Sequence, residues 1–260
     1  MQKDQIKSAS GNSVIRALDI LETMTYAPAP LGVSEISKSC SLNRTTTYHL
    51  LSSLMEKGYI CKGDNAKYHV TSRLFELGTA YQNSFPLVHL VKRFRFEFSS
   101  AVKYTCKLSI LTDNLRAIIL YSYTTETNLR QLPLGYAFPL HTSAAGKVLL
   151  AFSPQSVRDN FFKNCRFEPY TERTITDPEQ FKTVLDKVVQ NGYATDEREF
   201  MDDQICIGAP VRTGSGGLSA ISISGSCSEF LTHKDELTRE LLGYTQSLSF
   251  ESGYTAFGSR

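Results

Sequence analysis

Residues 32–60 constrain the fold more than any other stretch, because their apolar positions recur at the spacing of two short helices joined by a tight turn. Ile36 and Cys40 give the first helix an apolar face, and Leu42 lies in the turn. For the second helix, the apolar positions are Tyr48, Leu51, Leu54 and Met55, and the outward positions are Arg44, Thr45, Thr46, His49 and Ser52. This pattern is typical of a helix-turn-helix.

Both ends of the second helix carry boundary signals. Asn43 is a residue type that caps a helix N-terminus, and Gly58 is the type that follows a C-terminus, so about three helical turns are predicted between them. A helical hairpin inside a larger core would show a similar apolar pattern. The three threonines at 45–47 favour a helix that reads DNA, because threonine adds little to helix stability.

A small β-hairpin is predicted directly after this helix. Residues 59–61 form its first strand, 62–65 its turn and 67–70 its return strand. An opening helix is predicted from one apolar stripe formed by Val14, Ile15, Leu18, Leu21 and Met24. These elements predict a winged helix-turn-helix domain over residues 11–71, after a flexible N-terminus at 1–10.

Composition limits the class of protein. With 41% hydrophobic and 21% charged residues, the 260-residue chain resembles an ordinary globular protein and suffices for two domains. The net charge of +2 provides no broad basic field, so any DNA contact depends on local placement. The six cysteines occur singly, without metal-ligand spacing, which predicts reduced thiols in a cytoplasmic protein without metal or cofactor. No secretory signal or membrane-spanning segment is predicted.

Two amphipathic segments follow the hairpin. We interpret residues 72–86 as a linker helix that dimerises the chain, because one short helix cannot bury its apolar side alone. That side consists of Leu74, Phe75, Leu77 and Tyr81, before a break at Phe85 and Pro86. The next stripe consists of Leu87, Val91, Phe94, Phe98 and Ala101, opposite Lys92, Arg93 and Arg95. These basic residues form a solvated face or contact the DNA backbone.

Residues 87–257 are predicted to form an α+β domain on an antiparallel sheet, because strands and helices alternate without a parallel βαβ rhythm. The predicted elements are hairpins at 107–123 and 205–224 and helices at 143–152 and 178–191. The second of these helices is bracketed by Asp177, Pro178 and Gly192. Residues 232–235 have the sequence of a capping box for a C-terminal helix.

The common catalytic motifs are missing from the chain. Residues 143–147 lack the first glycine of a phosphate-binding loop, and the glycine-rich residues 214–217 lie between two strands rather than before a helix. One alternative is a small-molecule thiol hydrolase with Cys206 as nucleophile, His141 as base and Asp196 as orienting group. Nothing in their spacing makes these three residues neighbours. A third interpretation is a module that contacts other proteins through the wing and linker helix.

Several blocks of sequence carry a resemblance to a known family. They are SVIRALDILE (13–22), the helix-turn-helix ending in EKGYI (56–60), PLHTSAAGKVLLAF (139–152), GYATDEREF (192–200), ICIGAPV (205–211) and AISISG (220–225). In this order, and over nearly the whole chain, they resemble the IclR family of bacterial transcription regulators. The resemblance implies an N-terminal winged helix, a dimerising linker helix and a C-terminal GAF-like domain. It further implies a small organic, sugar or aromatic acid as effector, and a homodimer or a dimer of dimers.

Carried over to this sequence, the family's effector pocket consists of Ala144, Ala145, Asp196, Cys206, Ser222 and Ser224, with Phe138 and Arg130 at its rim. Ala144 and Ala145 begin a helix whose N–H groups favour an anion. Ser222 and Ser224 alternate with isoleucines, so both face one side of a strand, either the pocket or solvent. Asp196 would repel a carboxylate, so we expect it to accept a hydrogen bond from a ligand hydroxyl or from water.

Operator recognition is predicted at two elements. The residues are Arg44, Thr45, Thr46, Tyr48 and His49 on the second helix, near base edges, and Lys62 and Lys67 in the wing, on phosphate. A dimer requires a pseudo-palindromic operator in double-stranded DNA, and we expect such a regulator to control a catabolic operon. Two positions depart from the family pattern. Asp203, in the loop over the pocket, lies where the family usually has glycine. His49 lies where the family commonly has arginine, and this difference affects which operator sequence is recognised.

Overall fold

The computed structural model describes residues 9–93, 103–125 and 132–255. Its contacts divide the chain into two units, Met1–Tyr81 and Gln82–Arg260. Several predicted positions lie outside the described residues, namely residues 1–8, Phe94, Arg95, Phe98, Ala101 and Arg130. Among the residues that are described, no helix combines the length and the hydropathy needed to cross a membrane.

The first unit contains three helices and a two-stranded wing. Its elements are α1 (Ala9–Thr25), α2 (Val33–Ser39), α3 (Arg44–Glu56), β1 (Ile60–Lys62) and β2 (Tyr68–Val70). The two strands pair antiparallel, with Cys61 opposite His69. The core of the unit includes Ile20, Ile36, Leu51, Leu54, Ile60 and Tyr68. The predicted winged helix-turn-helix is confirmed.

Both ends of α3 follow the predicted signals. The side chain of Asn43 accepts a hydrogen bond from the N–H of Thr46 at 2.8 Å, which satisfies a donor of the first turn. Gly58 adopts a left-handed φ of 74°, where a side chain would be strained. The N–H of Tyr59 donates to the carbonyl of Leu54 at 3.0 Å, as in a Schellman motif.

The apolar stripe predicted for α1 is wrong over its first half. Three of its members are exposed, Val14 by 61%, Ile15 by 62% and Leu18 by 52%. The side chains that pack into the core are Ala17, Ile20, Leu21 and Met24. Ile15 and Leu18 point roughly 100° or more away from that face, because each residue turns an α-helix by about 100°.

The helical segment between the wing and the sheet is interrupted before Pro86, as the sequence predicts. α4 spans Arg73–Asn83, and α5 spans Pro86–Arg93 with proline at its first position. No residue of α4 is buried in the single chain, whereas Leu87 and Val91 of α5 are buried as predicted.

The second unit is built on one six-stranded sheet. Its strands are β3 (Thr105–Leu111), β4 (Arg116–Thr124), β5 (Ala137–Pro139), β6 (Ala194–Glu197), β7 (Gln204–Arg212) and β8 (Leu218–Ser226). They lie in the order β5-β4-β3-β8-β7-β6, and all neighbours are antiparallel. The described helices are a 3-10 helix (Leu140–Thr142), α6 (Ala144–Ala151), α7 (Gln155–Asn164), α8 (Pro178–Asn191), α9 (Cys227–Thr232) and α10 (Lys234–Glu251). The predicted α+β class is confirmed.

Local signals predict α8 correctly but fail at α10. Asp177 accepts hydrogen bonds at the start of α8, and Gly192 ends it with a φ of 79°. The capping box predicted at 232–235 is wrong. Thr232 is the last residue of α9 and donates to the carbonyl of Ser228 at 3.0 Å, so its hydroxyl is engaged within that preceding helix.

The two faces of the sheet differ in polarity. One face packs against α5, α9 and α10 through apolar side chains that include Cys106, Leu108, Ile207, Ile221 and Ile223. Side chains alternate along a strand, so the residues between them face α6. That second face carries Thr105, Lys107, Ser109, Asp196, Cys206, Ser222 and Ser224. We call it the polar face.

Candidate functional site

The outward side of α3 carries the side chains predicted to read DNA. Arg44, Thr45 and His49 are exposed, and Thr46 is half-buried. The prediction that Tyr48 lies on the apolar side is wrong, because Tyr48 is 47% exposed and Thr47 is buried instead. The buried positions 47, 51 and 54 share one helix face. Tyr48 therefore lies on the solvent side with the other predicted contacts.

A buried hydroxyl contact links α2 to α3. Ser37 Oγ donates to Thr47 Oγ1 at 2.9 Å, and Thr47 Oγ1 donates to the carbonyl of Asn43 at 2.9 Å. Sequence analysis placed Thr47 only in a polar run and missed this role. Ser37 lies one turn before Ser41 in the loop, and the spacing of the apolar residues did not indicate that its hydroxyl would contact α3.

The wing presents the two predicted lysines. Lys62 is exposed, with its Nζ 5.6 Å from the ring centre of Tyr68. The Nζ of Lys67 lies 3.9 Å from the Oε2 of Glu35, and the two side chains are 44% and 55% exposed. An ion pair of that length and exposure is weak, so it leaves Lys67 able to exchange its partner.

In the second unit, four of the predicted pocket residues, Asp196, Cys206, Ser222 and Ser224, lie on adjacent rows of the polar face. One row consists of Asp196, Cys206, Ser224 and Thr105, and the next consists of Gly208, Ser222 and Lys107. Ser222 and Ser224 are only 5% and 1% exposed. The interpretation in which these serines face solvent is therefore wrong.

The N-terminus of α6 lies directly over the second row. A Cβ on Gly208 would lie 3.0 Å from the carbonyl carbon of Ala144 and 3.2 Å from the nitrogen of Ala145, so a larger residue would require the helix end to move away from the sheet. Ser143 caps the helix by accepting from the N–H of Gly146 at 3.1 Å. Since helix N-termini favour anions, the fold places an anion-favouring end above the buried serine hydroxyls.

Asp196 is a buried carboxyl group held by the backbone. Its Oδ1 accepts a hydrogen bond from the N–H of Glu199 at 2.8 Å. Burial raises the pKa of Asp196 to about 7, although the Lys147 ammonium and the Glu199 N–H oppose that shift. Near neutral pH this group is therefore able both to accept and to donate a hydrogen bond.

A buried ion pair lies beside Asp196 and was missed by sequence analysis. The Nζ of Lys147 lies 2.5 Å from the Oε1 of Glu199 and donates to the carbonyl of Thr195 at 2.8 Å. The pair joins α6 to the loop after β6. No local pattern indicates it, because the partners are 52 residues apart in the chain.

The alternative thiol hydrolase is wrong. Cys206 and Asp196 are paired on neighbouring strands, but burial and the Asp196 carboxyl raise the pKa of the Cys206 thiol and keep it protonated. His141 lies in the 3-10 helix, with its Nε2 3.0 Å from the carbonyl of Glu168 and its ring against Phe167. Burial lowers the pKa of His141. The arrangement contains neither an activated thiolate nor a base directed at it.

Lys107 is a further residue of the polar face that sequence analysis missed. It is 4% exposed, and its Nζ donates to the Oγ of Ser224 at 2.7 Å. From the sequence pattern alone, a lysine within a strand is expected to face solvent. Its pairing opposite Ser222 is what places it inside.

Aromatic side chains pack near one edge of the polar face. Phe138 on β5 is buried, and its ring lies 5.3 Å from that of Tyr136 and 5.7 Å from that of Phe200. Phe200 belongs to the loop after β6, next to Glu199. The same loop therefore supplies an aromatic wall and a hydrogen bond to Asp196.

The winged helix and the α+β unit with its buried polar face define a class, the DNA-binding transcription regulators with an effector-binding domain. Comparison with family models identifies the family. The model of the IclR helix-turn-helix domain matches residues 13–62, and that of the C-terminal domain of IclR bacterial transcriptional regulators matches residues 79–250. The chain belongs to the IclR family of bacterial transcriptional regulators. It is a regulator and not an enzyme.

Curated and solved relatives agree with this assignment. The chain is 29% identical over 249 residues to the HTH-type transcriptional regulator KdgR of Escherichia coli, covering 94% of each protein. It is 27% identical over 248 residues to the regulator XynR of the same organism, covering 92% of this chain and 97% of XynR.

Two solved structures share the fold. The IclR protein of Thermotoga maritima matches with a TM-score of 0.66 and 24% identity, covering 92% of this chain and 99% of that one. An IclR homologue of Microbacterium hydrocarbonoxydans, solved in complex with 4-hydroxybenzoate, matches with a TM-score of 0.73 and 18% identity, covering 94% and 100%.

Proposed function

We propose that the protein is a cytoplasmic regulator of a catabolic operon whose operator affinity is changed by a small organic or sugar acid. The observation that carries this proposal is the buried polar face beneath the N-terminus of α6, where hydroxyls and a carboxyl group meet a helix end that favours anions. The 4-hydroxybenzoate bound by the Microbacterium homologue supports an acid as the class of ligand.

In the proposed complex, the carboxylate binds the N–H groups of Ala144 and Ala145. Ser222 and Ser224 bind further polar atoms of the acid, and Asp196 binds a hydroxyl. Cys206 and Phe138 complete the wall. Arg130 belongs to the same proposed set but lies outside the described residues, and it would favour a doubly charged acid.

Calorimetry on full-length protein tests this pocket with lactate, 2-oxobutyrate, gluconate and 4-hydroxybenzoate. The Ser222→Ala/Ser224→Ala double variant is expected to bind the preferred acid at least about tenfold more weakly, because two hydrogen bonds to a charged ligand are lost. Asp196→Ala is expected to weaken hydroxy acids selectively. Ser219→Ala, a buried serine on the opposite face of β8, is the matched control. Unchanged affinity in the double variant and in Asp196→Ala would mean that the pocket lies elsewhere.

We further propose which residues contact the operator. Base edges are contacted by Arg44, Thr45, Thr46, Tyr48 and His49, and phosphates by Lys62 and Lys67. The assignment is supported by the position of these side chains on the outward side of α3 and on the wing, where all are exposed except the partly buried Thr46 and Lys67. Contacts to base edges determine specificity, whereas contacts to phosphate add affinity for any sequence.

Two substitutions separate these roles. Arg44→Ala is expected to reduce discrimination between operator and scrambled duplex by about 1–3 kcal/mol, the value of a bidentate arginine–guanine contact. Lys67→Ala is expected to weaken both duplexes alike and to lower the salt dependence by about one phosphate contact. Both are measured by fluorescence anisotropy at several salt concentrations, with Lys182→Ala on α8 as control. Equal affinity of the wild type for the two duplexes contradicts the assignment.

We also propose that α4 dimerises the chain. Its apolar side chains Phe75, Leu77 and Tyr81 are exposed in the single chain, which supports a partner surface there. A homodimer, or a dimer of dimers, then reads a pseudo-palindromic operator. Sedimentation of a monomer at micromolar concentration, with binding to one half-site, would exclude this assembly.

A further inference from the structure

Lys107 is a buried lysine without a carboxylate partner. Its side chain lies almost entirely out of solvent, and its Nζ donates to the neutral hydroxyl of Ser224 at 2.7 Å. The other buried lysine of this region, Lys147, has the carboxylate of Glu199 at 2.5 Å. Among the described residues, the ion pairs include none with Lys107. Burying an ammonium without a counter-charge is costly, and a bound anion removes that cost.

The position of Lys107 places this charge within the polar face. It lies opposite Ser222, and Ser222 lies opposite Gly208, against which the first residues of α6 pack. The lysine, the two serines and the helix end are therefore within one or two strand positions of one another. All of them favour the same negatively charged group.

A second unpaired polar group lies beside Lys107. The Oγ of Ser109 is buried and has no hydrogen-bond partner among the described residues. Ser109 is two positions further along β3, so its side chain shares the polar face with Lys107. A ligand that extends along β3 from Lys107 would supply the missing partner of Ser109.

We propose that Lys107 is the specificity-determining residue that forms an ion pair with the carboxylate of the effector, which rests on the proposed function of the pocket. The N–H groups of Ala144 and Ala145 meet the same carboxylate, and Ser222 and Ser224 bind the next polar atoms of the ligand. Asp196 lies two strands away from Ser224 and binds a hydroxyl at the other end of the ligand. Strands are about 4.8 Å apart, so the two ligand groups lie roughly 6–10 Å apart. The effector is thus a hydroxy acid of sugar-acid or para-hydroxyaryl length, not a two- or three-carbon acid.

The test compares an acid with its uncharged amide. Wild type, Lys107→Met, Lys107→Arg and the exposed-site control Lys182→Met are titrated with 4-hydroxybenzoate, 4-hydroxybenzamide, gluconate, gluconamide and lactate. Lys107→Met is expected to lose at least about tenfold in affinity for the long hydroxy acid and to bind acid and amide alike. Lys107→Arg keeps the preference for the acid. Without ligand, Lys107→Met is expected to melt at a higher temperature than the wild type, because an unpaired buried charge is removed.

The outcomes separate the two proposals. An acid that binds wild type and Lys107→Met equally overturns the role of Lys107 and leaves the pocket in place. A preference of the wild type for lactate over both longer acids overturns the proposed ligand length. If none of the acids binds the wild type, the proposed function fails together with the role of Lys107.

Discussion

We expect the stability of the second unit to depend on pH because Asp196 is a buried carboxyl group. Its pKa is about 7 in the folded protein against 3.8 for an unperturbed group, so the folded state keeps a proton that the unfolded chain releases between these values. The contribution of Asp196 to stability is fully present below about pH 4 and is lost as the pH rises through about 7. Burial also raises the pKa of Glu199, which acts in the same direction.

Asp196→Asn is expected to remove most of this dependence. Asparagine keeps an oxygen that accepts from the Glu199 N–H but does not titrate. Urea unfolding at pH 5 and pH 8 should show the wild type losing on the order of 1–4 kcal/mol more than the variant over this interval. Asp186→Asn, an exposed carboxylate of α8, is the control. Parallel pH profiles for wild type and Asp196→Asn would contradict the raised pKa.

The role of a single residue was predictable from the sequence where alternation or a motif marked its position. It was not predictable where a partner distant in the chain determines whether the side chain is buried. Ser222 and Ser224 were recognisable from their alternation with isoleucine. Lys107 was not, because its burial depends on β8 lying beside β3, more than a hundred residues later in the chain. The same holds for the Lys147–Glu199 pair.

Among the elements, α6 is the one whose position most directly shapes the proposed pocket, and glycines permit that position. A Cβ on Gly146 would lie 2.5 Å from the carbonyl oxygen of Leu140, and one on Gly208 would meet the backbone of Ala144 at 3.0 Å. Backbone atoms cannot move aside as the end of a flexible side chain does. Each glycine therefore sets how closely the helix end approaches its support.

Gly208→Ala is expected to lift the N-terminus of α6 from the sheet. The predicted results are a destabilisation of about 1–3 kcal/mol, as for other overpacked core sites, and weaker binding of the acid. Gly243→Ala, at a helical glycine with nothing within 4 Å of the added Cβ, is the matched control. That control is expected to gain about 0.4–1 kcal/mol. Calorimetry and thermal melting check both variants, and equal behaviour of the two would show that the approach of α6 is not limiting.

Element boundaries were predictable where side-chain chemistry marks a helix end. Asn43 and Gly58 delimit α3, and Asp177 and Gly192 delimit α8. The buried side of α1 was misplaced because its apolar residues cover more than one face, and only packing selects Ile20 over Leu18. Strands of three or four residues, such as β5 and β6, are too short to show a period.

For the whole molecule, the chain order predicted the two kinds of domain but not how the sheet is assembled. The hairpins β3–β4 and β7–β8 are local and were expected, whereas the pairing of β3 with β8 joins distant segments. That pairing brings Lys107 to Ser222 and Ser224 and so creates the polar face. The family blocks supplied the identity of the proposed pocket residues, because composition and periodicity carry no information on such contacts.

Control of operator binding by an acid is tested by measuring the affinity of the full-length protein for its operator with and without that acid. The operator is first selected from random duplexes, and anisotropy titrations at fixed salt then compare selected with scrambled DNA in the presence of each hydroxy acid. We expect a pseudo-palindromic selected site and a change in its affinity of ~5–150-fold with one acid, because an effector must bind the two DNA-affinity states unequally. Equal affinity for selected and scrambled DNA, or an operator affinity that no acid alters, would contradict it.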